Sequence, residues 1–145
     1  MKKYVVAFLF TDSDLSNVWV IKKNKPEWQN GLLNGIGGKI EDGETPLVAM
    51  VRELKEEAGV DITSEEMFSI GHMGGTNNDG SMFSVEIFTG ITYKRLTTQE
   101  SEPIFYIGTD EVKTYRTIGN VPMLIEACMY RLKGSSSFSK LILEY

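Results

Sequence analysis

Residues 4–11 are almost unbroken in aliphatic and aromatic side chains, which predicts a buried strand. Residues 18–23 repeat the signal, and the polar stretch 12–17 between them predicts a hairpin. The run 24–30 is polar, with Pro26 and Trp28 inside it, and predicts an exposed loop in which Trp28 either caps the core edge or offers a flat face to a ligand base. Residues 32–39 carry Gly35, Gly37 and Gly38, a density that lets backbone approach a ligand or metal. Beyond a helical stretch and a polar link at 61–66, residues 67–74 and 81–92 predict two strands around the turn Asn77-Asn78-Asp79-Gly80, with Phe83, Val85 and Ile87 alternating to one face. Residues 94–102 predict an exposed loop, 104–107 a short strand, and 110–119 show no clear pattern. At 122–132 the spacing turns helical, with Leu124, Cys128 and Leu132 on one line, Ile125 and Met129 beside it, and Gly134 as the stop. The serine run 135–137 predicts a flexible link, and 138–145 a final strand or a closing tail. Strands, helix, strands, helix predict an α/β fold of mixed three-layer type in one domain spanning residues 1–145.

The helical stretch is bounded sharply: Thr45 is placed to cap it, Pro46 suits its first position, and Gly59 supplies a left-handed stop after Ala58. At roughly 100° per residue, Leu47, Val51, Leu54 and Ala58 form a packing stripe, and Glu53, Glu56 and Glu57 cluster on a side well away from it. Three carboxylates within one turn repel one another, a cost that a hard divalent cation removes. Mg²⁺ takes oxygen ligands, a few carboxylates completed by water and substrate phosphate, so the cluster suits a metal–phosphate site. Arg52 adds a fixed cation beside the acids. A solvated acidic face remains the alternative on spacing alone.

Composition narrows the chemistry further. The 145 residues, 41% apolar and 24% charged, suffice for one core without staples. Cys128 and His72 are the lone cysteine and histidine, which excludes an intrachain disulfide and a Cys/His zinc site. No secretory pattern and no membrane-length apolar run is present, so a reduced, cytoplasmic setting is expected, with no membrane partner and a monomer or homodimer. A net charge of −5 argues against a nucleic-acid polymer as partner, since backbone binding needs a basic surface. Nucleotides stay open, because bound Mg²⁺ reverses the local sign and attracts phosphate.

Residues 38–60, GKIEDGETPLVAMVRELKEEAGV, resemble the signature box of the Nudix hydrolases: Gly38, Glu44, Arg52, Glu53, Leu54, Glu56, Glu57, Gly59 and Val60 meet each fixed position. The resemblance implies an α/β/α sandwich with a mixed sheet and hydrolysis of a nucleoside diphosphate linked to another group. It implies Mg²⁺ or Mn²⁺ held by Glu53, Glu56 and Glu57 with the carbonyl of Gly38 or Gly37, and Arg52 orienting Glu53. Glu44 also stands where a helix dipole favours a carboxylate. Many members recruit a loop glutamate as ligand or general base, for which Glu100 is the candidate and Glu102 its neighbour. Lys23 and Lys39 are candidates for substrate phosphate, Lys39 also reading as a solvated strand-end lysine. Asn34, before Gly-Ile-Gly-Gly-Lys, is similar to the base-reading Asn of animal oxidised-purine nucleoside triphosphatases, which carry Trp where this chain has Leu33. Asn120-Val121-Pro122 is similar to the Asn-Glu-Pro of MutT-like bacterial members, whose Asn contacts 8-oxoguanine; a helix cap is the other reading of Asn120. The expected small-molecule substrate is a nucleoside triphosphate, 8-oxo-dGTP among them. Nucleotide sugars, dinucleotide polyphosphates and a non-catalytic nucleotide sensor are the alternatives.

Overall fold

The computed structural model describes residues 1–134 and 140–145. The predicted serine link and the start of the predicted last element, residues 138–139, lie outside the described residues. In chain order come β1 (Lys2–Phe10), β2 (Asn17–Lys22), a 3-10 turn (Glu27–Gln29), β3 (Leu33–Asn34), β4 (Ile36–Lys39), α1 (Pro46–Ala58), β5 (Met67–Thr76) and β6 (Met82–Ile91). These are followed by β7 (Ile104–Gly108), a second 3-10 turn (Thr109–Thr114), α2 (Val121–Leu132) and β8 (Leu141–Glu144).

One eight-stranded mixed sheet runs β3-β2-β1-β6-β5-β8, with β4 also on β1 and β7 also on β2. The pairs β1/β6 and β5/β8 are parallel; the other ladders are antiparallel. Side chains of β1 sort by parity. Val5, Ala7 and Leu9 join the core under α1 with Met50, Leu54 and Ala58, whereas Val6, Phe8 and Phe10 join the core under α2 with Leu124, Ile125 and Cys128. Both faces of the sheet are therefore covered, as the predicted α/β/α sandwich requires, and β1 reads as continuous apolar sequence for that reason.

The hairpin of residues 4–23 closes as expected at its turn, where Thr11 N donates to Asn17 O at 3.1 Å, but its ladder is brief. Phe10 faces Val18, after which β1 pairs along Tyr4–Ala7 with β4, while β2 pairs with β7 from Asn17 to Ile21. The patternless stretch 110–119 begins in the second 3-10 turn and ends in a bridge of Thr117 to Leu33. A short 3-10 turn with its local bonds gives way to bonds between Arg116, Ile118 and Leu33 of β3, so no single period marks the stretch. The last element is a strand, parallel to β5 from Gly71–Leu141 to Gly74–Glu144.

Candidate functional site

Helix α1 forms where its ends are satisfied locally. Thr45 Oγ1 accepts the Val48 N–H at 3.2 Å, Pro46 occupies the first turn, and Gly59 at φ 63° donates its N–H to the carbonyls of Leu54 and Lys55. The face it buries differs from the predicted stripe. Ala49, Met50, Glu53, Leu54 and Ala58 are buried, and Leu47 and Val51 pack only at the margin. On the helix wheel Glu53 and Glu57 fall between Ala49 and Met50, so two of the three acids point toward the sheet instead of away from the packed side. Glycine makes this possible: a Cβ at Gly38 would collide with the Glu53 carboxylate, and one at Gly37 with the Val5 carbonyl. The bare backbone of β4 admits a carboxylate between helix and sheet.

Arg52 ties the acids to that backbone. Its Nε and Nη2 donate to the two oxygens of Glu44 at 2.7 and 2.8 Å, a bidentate fork, and Nη2 also reaches Lys39 O at 2.9 Å. Its Nη1 donates to Glu53 Oε1 at 2.9 Å and Glu56 Oε2 at 3.2 Å. Arg52 thus hydrogen-bonds Glu53 and Glu56 of the acidic helix and binds Glu44 as well. The fork, with the Glu41 N–H beside it, holds the Glu44 carboxyl at about 2, so its partner is the guanidinium and not the helix dipole. The guanidinium itself is held above its ordinary value, chiefly by Glu44.

Burial pushes the Glu53 carboxyl upward against the pull of Arg52. For Glu57 burial and then the Glu53 charge push the carboxyl up to about 7, and its Oε2 is buried with no hydrogen-bond partner. A buried, unpaired carboxylate oxygen costs free energy until a cation or proton meets it. Among the described residues no three His, Cys, Asp or Glu side chains converge into a ready cage, and Arg52 Nη1 is bonded to both Glu53 and Glu56. An incomplete protein shell is what Mg²⁺ or Mn²⁺ accepts, keeping places for water and phosphate. The orphaned Glu57 oxygen, the glycine recess and the all-oxygen donor set fit such an ion, with Glu53, Glu56 and Glu57 as its carboxylates.

The loop before β7 reaches this site. Gln99 N donates to Glu57 O at 3.1 Å, and the charge of exposed Glu100 bears on both Glu53 and Glu57. Glu102 is buried and takes Lys23 as its ion-pair partner at 3.0 Å. Lys23, whose charge also lowers the Glu57 carboxyl, is thereby held beside the acids; Lys39 is exposed. Trp28 is 69% exposed and caps no core edge. The two candidate amides are not brought together. Asn34 pairs with Ile21, whose side chain belongs to the core under α1, and its Oδ1 accepts the Gly35 N–H at 2.8 Å. Asn120 opens α2, makes no side-chain cap, and donates through Nδ2 to Met73 Sδ at 3.1 Å and Tyr145 Oη at 3.2 Å. Met73 and Tyr145 carry no motif, and only the β5/β8 pairing reveals them as neighbours of Asn120. Two clefts elsewhere, one between α2 and the second 3-10 turn and one beside Trp19 and Tyr106, contain none of these acids.

The recessed acidic helix on a mixed sheet defines the class: the chain belongs to the Nudix family, whose NUDIX domain matches residues 1–118. The chain is 37% identical over 62 residues to the 8-oxo-dGTP diphosphatase of Proteus vulgaris, 43% of this chain and 54% of that protein, so the match spans about half the relative's length. A structure of MutT, from work on Aliivibrio salmonicida and Vibrio cholerae, superposes with a TM-score of 0.69 at 26% identity, covering 88% of this chain and 96% of that one. The NUDIX domain of Shewanella oneidensis NrtR complexed with ADP ribose has the same fold, with a TM-score of 0.76 at 20% identity over 90% of this chain and 87% of that one.

Proposed function

We propose that this chain is a metal-dependent pyrophosphohydrolase that cleaves a nucleoside triphosphate to the monophosphate and pyrophosphate, with 8-oxo-dGTP the favoured substrate. The carrying observation is the Glu53 carboxylate recessed at Gly38 and tied to Arg52, beside a Glu57 oxygen with no partner. Bound Mg²⁺ or Mn²⁺ would neutralise phosphate charge and help activate water. The chain's own groups do the rest. Arg52 fixes the Glu53 carboxylate, Glu100 is the exposed carboxylate that takes the proton of the attacking water, and Lys23 and Lys39 supply positive charge for the phosphates. Water adds to phosphorus as the bridging P–O bond breaks, and the leaving phosphate carries the bond's electron pair. Asn120 reads the base. The activity of the Proteus vulgaris relative supports the oxidised purine. The ADP-ribose complex of the NrtR domain motivates keeping other nucleoside diphosphate derivatives among the substrates tried. Retention of every acid in the box speaks against a non-catalytic sensor.

The test is a panel of 8-oxo-dGTP, dGTP, a nucleotide sugar, a dinucleotide polyphosphate and ADP-ribose, scored by kcat/KM with Mg²⁺ and with EDTA. The expected result is hydrolysis fastest for 8-oxo-dGTP, with the monophosphate and pyrophosphate as its products, and lost with EDTA; chelator-resistant hydrolysis, faster cleavage of a substrate that is not a triphosphate, or the absence of hydrolysis overturns the reading. Arg52 makes a sharper expectation. Arg52→Lys keeps the charge and loses the planar fork, so kcat should fall by about tenfold or more, and Tm by about 2–4 °C per kcal/mol of lost Glu44 pairing. Glu44→Gln loosens the same fork while leaving Arg52 on Glu53, and should lower Tm with a smaller loss of kcat. Equal kcat losses in the two variants would assign Arg52 to the loop and not to Glu53.

A further inference from the structure

Glu53 and Glu102 are the two buried carboxylates among the described residues, and Glu102 lies outside the acidic helix. Its Oε1 accepts from Lys23 Nζ at 3.0 Å, and its Oε2 accepts the Asn24 N–H at 2.7 Å and the Lys25 N–H at 3.4 Å. Around it Asn24 Nδ2 donates to Ser101 Oγ at 3.1 Å and Lys22 N to Pro103 O at 2.9 Å. Residues 101–103 are thus fastened to the end of β2. A few residues earlier the same loop is fastened to α1, where Thr97 N donates to Ala58 O at 2.9 Å and Gln99 N to Glu57 O at 3.1 Å. Those carbonyls are end-of-helix acceptors with no partner inside the helix, so the loop completes α1 as it passes. Glu100 is the residue between the two sets of anchors. From 97 to 101 every residue is exposed, and apolar packing does not hold this stretch in place. Hydrogen bonds do so instead: backbone bonds to α1 at Thr97 and Gln99, and at the far end the charge-assisted bonds of Glu102.

We propose that Glu102 is a positioning residue, clasping the end of β2 so that Glu100 is held at the acidic face of α1. The inference rests on Glu100 serving the hydrolysis proposed above. A buried carboxylate suits the task because one group satisfies two backbone N–H donors and a lysine at once. Removing it breaks the bonds to Lys23, Asn24 N and Lys25 N together, which leaves Asn24–Ser101 and Lys22–Pro103 as the fasteners between the loop and the β2 end.

The test uses the full chain and compares Glu102→Ala, Glu102→Gln, Glu100→Gln and the double variant Glu100→Gln/Glu102→Ala. Two quantities are read: kcat and KM for 8-oxo-dGTP with Mg²⁺, and amide hydrogen exchange without metal or nucleotide. Glu102→Ala should lower kcat by about 10- to 100-fold, the scale of a misplaced reacting group, and any rise in KM, which reports the release of Lys23 from the phosphates, should be smaller than the fall in kcat. In the double variant the two losses should not multiply: with Glu100 already replaced, Glu102→Ala can add only what the release of Lys23 costs. Exchange should quicken at residues 97–101 and not within α1. Glu102→Gln keeps an oxygen acceptor for the backbone donors, should fall between wild type and Glu102→Ala, and replaces the alanine variant if that one does not fold. Losses that multiply in the double variant overturn the proposal, as does exchange that is unchanged at 97–101 or raised equally throughout. If the wild type hydrolyses nothing, the proposed function fails, and the exchange result still decides whether Glu102 holds the loop.

Discussion

Glu57→Gln is expected to lower kcat by about 10² or more while leaving the fold intact, the scale of a lost transition-state charge stabiliser. Gln keeps the shape of Glu57 and removes the charge whose Oε2 is buried without a partner. The apo protein carries a second signature of the same group. Its carboxyl stands at about 7 when folded against an ordinary 4.5, raised first by burial and then by Glu53. Between those values the folded state binds more protons than the unfolded one, so stability falls as pH rises from 4.5 to 7 and then levels. Glu44, held at about 2, has the opposite sign and acts only at lower pH, where acid removes its support. A divalent cation that replaces the proton on Glu57 should therefore raise Tm more at pH 8 than at pH 5.5. Glu57→Gln should shrink that difference to the share of Glu53, whose carboxyl is also pushed upward by burial, and be the more stable protein at pH 8 without metal. Near wild-type activity in the variant, or Mg²⁺ stabilisation that is unchanged by it, would sink the assignment of Glu57 as a ligand.

What the sequence made legible was whatever is decided locally. The α1 boundaries follow from Thr45, Pro46 and Gly59, whose caps are made within five residues, and both helices and all the long strands stand near their predicted places. The sidedness of the acids was not legible. Leu47 and Val51 look like core on a wheel, yet which arc is buried depends on β4, where Gly38 leaves room for the Glu53 carboxylate and Gly37 lets the strand lie close on β1. The partner of Arg52 was half legible: Glu53 and Glu56 are helical neighbours, whereas Glu44 sits eight residues away in a turn outside the helix period. Lys23 and Glu102 are 79 residues apart and meet because β7 lies on β2, a pairing that no periodicity encodes.

Asn120→Ala is expected to lower kcat/KM for 8-oxo-dGTP by about 1–3 kcal/mol, the range for a lost buried hydrogen bond, with a smaller loss for dGTP. The competing role, a helix cap, would cost about 1 kcal/mol of stability and affect every nucleotide alike. Geometry already weighs against it: α2 starts on the Asn120 backbone carbonyl, which accepts Leu124 N–H at 3.0 Å, and the side chain caps nothing. The side-chain NH₂ is instead turned to Met73 and Tyr145, which leaves Oδ1 as an acceptor for a base N–H. An acceptor at that position distinguishes 8-oxoguanine, which carries a hydrogen on N7, from guanine, whose N7 is itself an acceptor. Asn34 is the internal comparison. Its Oδ1 holds the Gly35 N–H on the strand that leads into the glycine recess, so Asn34→Ala should lower Tm and reduce kcat for both nucleotides by the same factor. Tm and both substrates are therefore measured on each variant. Selectivity lost in Asn120→Ala and retained in Asn34→Ala assigns base reading to the α2 face of the sheet; the reverse pattern moves it to the α1 face. A wild type indifferent to oxidation of the base removes 8-oxo-dGTP as the substrate while leaving the acidic helix, and the hydrolysis it supports, to other nucleoside triphosphates.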